Sequence, residues 1–198
     1  MLFLGFGSGL PYILLISTST AWLRDVNVDL SYIGFFTWIT FTYTFKFAWA
    51  PLVDRFSVPF LAQYGHRKSW IAFMQILIFL SLLFISNIDP IENFILFCIV
   101  GVTIAFAGSI QDIAIDAFRI EYAHISDQGN LAASYQLGYR LAIIAATSIA
   151  LIFADINGWS MTFKLMAGLM CLGLLGVIFS KEEKNKELGK LNFINSIV

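Results

Sequence analysis

The chain has 198 residues, of which 59% are hydrophobic and 13% charged, with a formal net charge of -1. An average soluble domain carries about 25% charged residues, so this composition excludes an ordinary water-facing globular surface. A closed β-barrel is excluded as well, because long stretches are apolar on nearly every side instead of alternating over about 10-residue strands.

Six apolar stretches of about the length that crosses a bilayer follow one another, roughly 20 helical residues each. The first covers about 1–23 and ends at the polar run Arg24-Asp25-Val26-Asn27-Val28-Asp29. It has no basic start and no small-residue cleavage site, so it reads as a span and not as a signal peptide. The second covers about 32–52 and closes at Pro51; a polar segment from Asp54 to Lys68 follows. The third covers about 69–86, the fourth about 94–118, the fifth about 131–153 and the sixth about 161–179, and a charged tail occupies 181–198. The expected fold class is an all-α membrane protein with a six-helix transmembrane bundle over 1–180.

Alternate connections differ in charge. Arg55, Arg67 and Lys68 lie between the second and third spans, Arg119 lies after the fourth, and Lys181, Lys184, Lys186 and Lys190 lie in the tail. The other side has Arg24 alone. Basic loops stay in the cytoplasm, which predicts that both termini are cytoplasmic. Trp22, Trp49, Trp70 and Trp159 fall at span ends, where aromatic belts sit; Trp38 lies well inside a span.

Ionisable residues within spans are costly and point to function. Lys46 lies in the second span, Asp112 and Asp116 in the fourth, Arg140 in the fifth. Arg140 is placed near the midplane, and Lys46 and Asp112 roughly 5–10 Å toward the cytoplasm. Asp112 and Asp116 share one helix face, continued inward by Gly108; Gln136 and Arg140 share another. These residues predict a polar cavity between the second, fourth and fifth spans, where Lys46 and Arg140 attract an anion and Asp112 carries a proton. The competing expectation is a set of static ion pairs among Asp112, Arg140 and Lys46 that fixes helix packing. Lys46 has a further alternative, snorkelling to the interface.

Small residues recur at Gly5 and Gly9 and at Gly101, Ala105 and Ser109, which predicts close helix approach. Gly5-Phe6-Gly7-Ser8-Gly9 lacks the preceding strand and following Gly-Lys-Ser/Thr of a phosphate loop. Pro11 predicts a bent first helix. Cys98 and Cys171 are expected as buried small hydrophobes, and His66 and His124 sit in separate polar segments, so no metal or cofactor is expected. No catalytic constellation stands out, and an enzyme is not expected.

Longer motifs carry a resemblance. Gly5-Phe6-Gly7-Ser8-Gly9-Leu10-Pro11, the run Tyr43 to Arg55, Gly65-His66-Arg67-Lys68-Ser69-Trp70, Gln111 to Arg119, and Leu137-Gly138-Tyr139-Arg140 resemble the AmpG-type muropeptide permeases of the major facilitator superfamily. The resemblance runs from about residue 2 to about residue 180. It implies the N-terminal six-helix half of that fold, in the bacterial inner membrane. It implies proton-coupled import of anhydro-muropeptides, which are large, amphipathic, anionic fragments of the cell wall. Asp112, Asp116 and Arg140 are then candidates for proton coupling or ion pairing. Lys46, Gln111, Gln136, Tyr139 and Arg140 are candidates for substrate binding. Asp54, Arg55, Arg67, Lys68 and Arg119 are candidates for the cytoplasmic gate. Family members have twelve helices where six are read here. Besides the bilayer, substrate and proton, the expected partner is therefore a second six-helix half or a second copy of the chain. The alternatives are a non-transporting remnant or partner subunit of a split permease, and a carrier of acetyl-coenzyme A or another organic anion. No nucleic acid is expected.

Overall fold

A computed structural model describes residues 1–56, 58, 65–122 and 124–180. The charged tail lies outside the described residues. Among the described residues six helical segments longer than one turn follow in order: α1 Leu2–Asp25, α2 over 30–55, α3 His66–Ile85, α4 Phe94–Tyr122, α5 Gln128–Asn157 and α6 Trp159–Phe179. Five of the six, all but α2, are continuous and apolar over a length that crosses a bilayer. Helices of that length and hydropathy keep their backbone hydrogen bonds largely within themselves, as a bilayer interior requires, and the chain is a multi-pass membrane protein.

The second segment departs from a regular span. It breaks into Leu30–Thr37, a 3-10 turn Trp38–Thr40, Phe41–Thr44, a second 3-10 turn Lys46–Ala48, and Ala50–Arg55. Local chemistry accounts for this. Asp29 caps its start by accepting from the Ser31 amide at 2.7 Å. Thr37 and Thr40 donate their hydroxyls to the carbonyls of Gly34 and Thr37 at 2.7 and 2.8 Å, which draws those carbonyls from the helical ladder. Pro51 has no amide hydrogen and opens the last piece. Three residues per turn keep Phe35, Trp38 and Phe41 in one line, with ring centroids 5.7 and 6.3 Å apart, on the outer surface.

The centre of the bundle is α1, which packs against α5, α6 and α4. Its glycines explain how. A Cβ on Gly5 collides with the Tyr135 backbone, and one on Gly138 of α5 collides with the Leu2 carbonyl and lies 2.9 Å from the Phe6 nitrogen. On the next face, a Cβ on Gly7 lies 3.1 Å from the Gly173 Cα of α6. The glycine-rich run is thus a two-sided packing surface. Farther along, α1 carries a π-turn at Leu14–Thr18, just after Pro11, and α5 carries one at Ala145–Ile149. The two meet, and Thr18 donates its hydroxyl to the Ala146 carbonyl.

The small-residue stripe of α4 seats α2. Gly101 lies under the Phe36 and Ile39 side chains, Ser109 accepts from the Trp49 indole at 3.0 Å, and Gly108 faces the Tyr43 hydroxyl. Cys98 is half-buried, but Cys171 is exposed on α6, contrary to its expected burial; the apolar span sets its depth and not its facing.

Candidate functional site

A cavity of about 350 Å³ is lined by Tyr12 of α1, Thr40, Tyr43, Thr44 and Lys46 of α2, Asp112 of α4 and Tyr139 of α5. Thr40, Tyr43 and Lys46 recur every third residue along the broken α2, and with Thr44 they line the cavity. The Tyr12 and Tyr43 rings meet edge to face with centroids 4.8 Å apart. The Tyr43 hydroxyl is buried against Gly108 without a hydrogen-bond partner among the described residues.

Asp112 is half-buried and accepts a hydrogen bond from Ser8. The Ser8 hydroxyl also lies 2.7 Å from that of Tyr135. Ser8 therefore joins three helices at one oxygen. Its placement follows from the packing of α1, where Gly5 and Gly9 let α5 come close on either side of it. Neither Ser8 nor Tyr135 stands out in the sequence, since one hydroxyl in a glycine-rich run reads as another small residue. Tyr12 and Tyr43 do not stand out either; tyrosines on apolar spans look like interface anchors.

The structure brings some expected residues together and separates others. Lys46, Asp112 and Tyr139 share the cavity. Among the described residues Asp112, Lys46 and Arg140 form no ion pair with one another. Asp116 instead pairs with Arg119 at 3.5 Å, one turn along α4. Gln136 and Arg140 are exposed on the outer face of α5 and do not line the cavity. Gln111 points away from it; fully buried, its amide lies on the α1 side near Gly7 with Gln75 of α3. Adjacent positions on a helix differ by about 100°, so Gln111 cannot share the face of Asp112.

A second polar cluster closes one end of the bundle. The Arg67 guanidinium, 10% exposed, donates to Asp54 at 2.8 Å and to Glu121 at 2.6 Å, tying α3 to α2 and α4. Nε of Arg67 adds contacts of 3.1 and 3.2 Å to the two Glu121 oxygens. Glu121 is not anticipated by sequence, because it falls just beyond the predicted end of the fourth span. Lys68 donates to the Ser180 carbonyl at 2.7 Å, so it joins α6 and not the Arg67 cluster. Arg55 lies outside the cluster as well. At the other end Trp159 donates to Asp25 at 2.7 Å and stacks on Trp22 with centroids 6.2 Å apart.

A larger groove of about 970 Å³ lies between the turns at 26–29 and 90–93, with Ile91, Ile95, Leu96 and Ile99 on its wall. The smaller cavity is the better candidate site, since a lysine, a carboxyl and three phenols from four helices converge on it.

Comparison with known proteins agrees with this architecture. The family described as the Major Facilitator Superfamily matches residues 1–193. The anhydromuropeptide permease of Escherichia coli K12 is 36% identical over 183 residues, covering 92% of this chain and 37% of that protein. An AmpG-named protein of Rickettsia conorii is 33% identical over 194 residues, covering 97% of this chain and 47% of that protein. The chain thus spans about half the length, or less, of these curated relatives.

Proposed function

As the chain belongs to the major facilitator superfamily, we propose that it forms part of a proton-coupled permease that imports anhydro-muropeptides across the bacterial inner membrane. The observation that carries the reading is the cavity. It brings a carboxyl, Asp112 of the span α4, and an ammonium, Lys46 of α2, into the lining of one space. Charges within spans are retained where they meet an ion path or a substrate. Lys46 is the cation for the carboxylates of the cargo, and Asp112 takes and returns the proton. The aromatic walls, Tyr12, Tyr43 and Tyr139, suit the apolar faces of sugar rings while their hydroxyls bond the polar edges.

Arg140 and Gln136 stand on an outer face of α5. In this reading they face a second six-helix bundle, and the substrate passes between the two. The second bundle is another part of the polypeptide, a separate chain or a second copy. The basic residues favour the cytoplasmic side for the Arg67 cluster, with both termini there, and Arg67, Asp54 and Glu121 hold that side closed.

The test is uptake of labelled anhydro-muropeptide into proteoliposomes, with and without an inward proton gradient, beside the Escherichia coli permease. Uptake that follows the gradient, and is displaced by unlabelled muropeptide but not by acetyl-coenzyme A, supports the assignment. Displacement by acetyl-coenzyme A alone moves the cargo to that class. Absence of uptake from the chain by itself, recovered when a C-terminal permease half is co-reconstituted, identifies a half-carrier.

A further inference from the structure

Hydrogen accounting at Ser8 carries an inference that rests on Asp112 as the proton carrier. Ser8 is buried and touches Asp112 on one side and the Tyr135 hydroxyl, at 2.7 Å, on the other. A serine hydroxyl has one proton to donate. Toward an ionised Asp112 it must donate that proton, because a carboxylate only accepts. The Tyr135 hydroxyl must then donate to Ser8, and its own proton is used up inside the protein. The chain of donation runs Tyr135 to Ser8 to Asp112.

Protonation of Asp112 on the oxygen next to Ser8 lifts that requirement, and the reverse order becomes available. The carboxylic acid donates to Ser8, Ser8 turns its proton to the Tyr135 oxygen, and the Tyr135 proton is released to another acceptor. No covalent bond changes except the one formed between the incoming proton and the carboxylate oxygen. We propose that Ser8 and Tyr135 form a reversible hydrogen-bond relay that reports the protonation of Asp112 to the substrate. The Tyr135 hydroxyl offers a donor only when Asp112 is protonated. Tyr135 stands just behind the lining: its ring lies 6.4 Å from that of Tyr139, and its hydroxyl is one serine removed from Asp112, both of which line the cavity, so the freed donor is beside the space an acceptor oxygen of the cargo would occupy.

This gives coupling a definite atomic basis. A cargo rich in carboxylate and sugar oxygens binds better when Tyr135 donates to it, and by linkage its binding favours protonation of Asp112. The other titratable or charged groups turned toward this carboxyl are Tyr12 on α1, Tyr43 and Lys46 on α2, Asp116 on α4 and Tyr139 on α5, with Arg140 beside Tyr139. Lys46 acts on the carboxyl through its charge. The hydrogen bonds of Ser8 run to Asp112 and Tyr135 and not to Lys46, so the lysine leaves the order of the relay unchanged.

The test needs no substrate. Infrared difference spectra of the full chain in nanodiscs are recorded across pH with ring-deuterated tyrosine. The Asp112 carbonyl band is identified by its loss in Asp112→Asn, and the Tyr135 C–O band by its loss in Tyr135→Phe. The expected result is that both bands shift with one midpoint. Ser8→Ala is expected to leave the carboxyl titration in place and abolish the tyrosine shift, and Ser8→Thr, which keeps the hydroxyl, to restore it. A Tyr135 band indifferent to pH, or one that still shifts in a folded Ser8→Ala protein, overturns the relay. Asp112 remaining in one protonation state throughout overturns both the relay and its role as proton carrier. Failure of muropeptide uptake with the relay intact overturns the cargo alone.

Discussion

Asp112→Asn keeps the shape of the side chain and removes its titrating proton. It is expected to abolish gradient-driven uptake while counterflow exchange persists; paired uptake and exchange assays check this. Gly138→Val is expected to unseat α1 from α5, since even one carbon there overlaps the Leu2 carbonyl. The folded fraction in detergent should fall well below wild type, because overpacking commonly costs ~1–3 kcal/mol and more against backbone. Of these two positions, Asp112 is the more legible in the chain itself. A carboxyl four residues from another, deep in an apolar helix, stands out, and so does its reach toward the second span. What it touches does not, because Ser8 lies 104 residues away in the chain. Gln111 shows the opposite failure. The family motif includes it beside Asp112, yet one residue of helical rotation, about 100°, turns it out of the cavity and toward Gly7 and Gln75.

Among the elements, α2 is where sequence and structure differ most. Hydropathy counts apolar residues over about 20 positions and is insensitive to winding, so it predicts a regular span where a broken one is found. The signals for the break are individually weak: two threonines bonding back to the preceding turn, Gly34, and Pro51. They act together, and the result places Tyr43 and Lys46 in the cavity. Backbone hydrogen bonds of the two 3-10 turns are weaker than those of α3 and α4. Deuterium exchange in nanodiscs is therefore expected to be faster over 38–49 than over the middle of α3 or α4. The other elements are readable because a bilayer asks for one property, an unbroken apolar helix, and five segments meet it. Their contact faces are readable only where glycine marks them.

The whole molecule is a bundle with a polar clasp at each end and a cavity between them. Its proposed orientation rests on the distribution of basic residues along the chain. With Cys98 and Cys171 replaced, single cysteines at Gly65 and at Asn157 are expected to react with a membrane-impermeant reagent from opposite faces, Gly65 from the cytoplasmic side. Reaction of Asn157 from the cytoplasmic side inverts the assignment of the ends and with it the direction of import. Charge counts thus supply the expected axis of the molecule. The clasps themselves, Arg67 with Asp54 and Glu121 at one end and Trp159 with Asp25 at the other, emerge only in three dimensions, since their partners are up to 134 residues apart.

The second clasp gives the protein a built-in optical gauge. The indoles of Trp22 and Trp159 lie nearly parallel, 9° apart in plane, with centroids 6.2 Å from each other, and the Phe97 and Phe163 rings rest on Trp22 at 5.3 and 5.0 Å. Chromophores so near and so aligned couple their excited states, and that coupling dies away steeply as they part. Any motion that swings α6 away from α1 at this end is expected to appear as a change in near-ultraviolet circular dichroism. Trp159→Phe should remove that signal, so such a motion can be followed in the unmodified chain without an attached label.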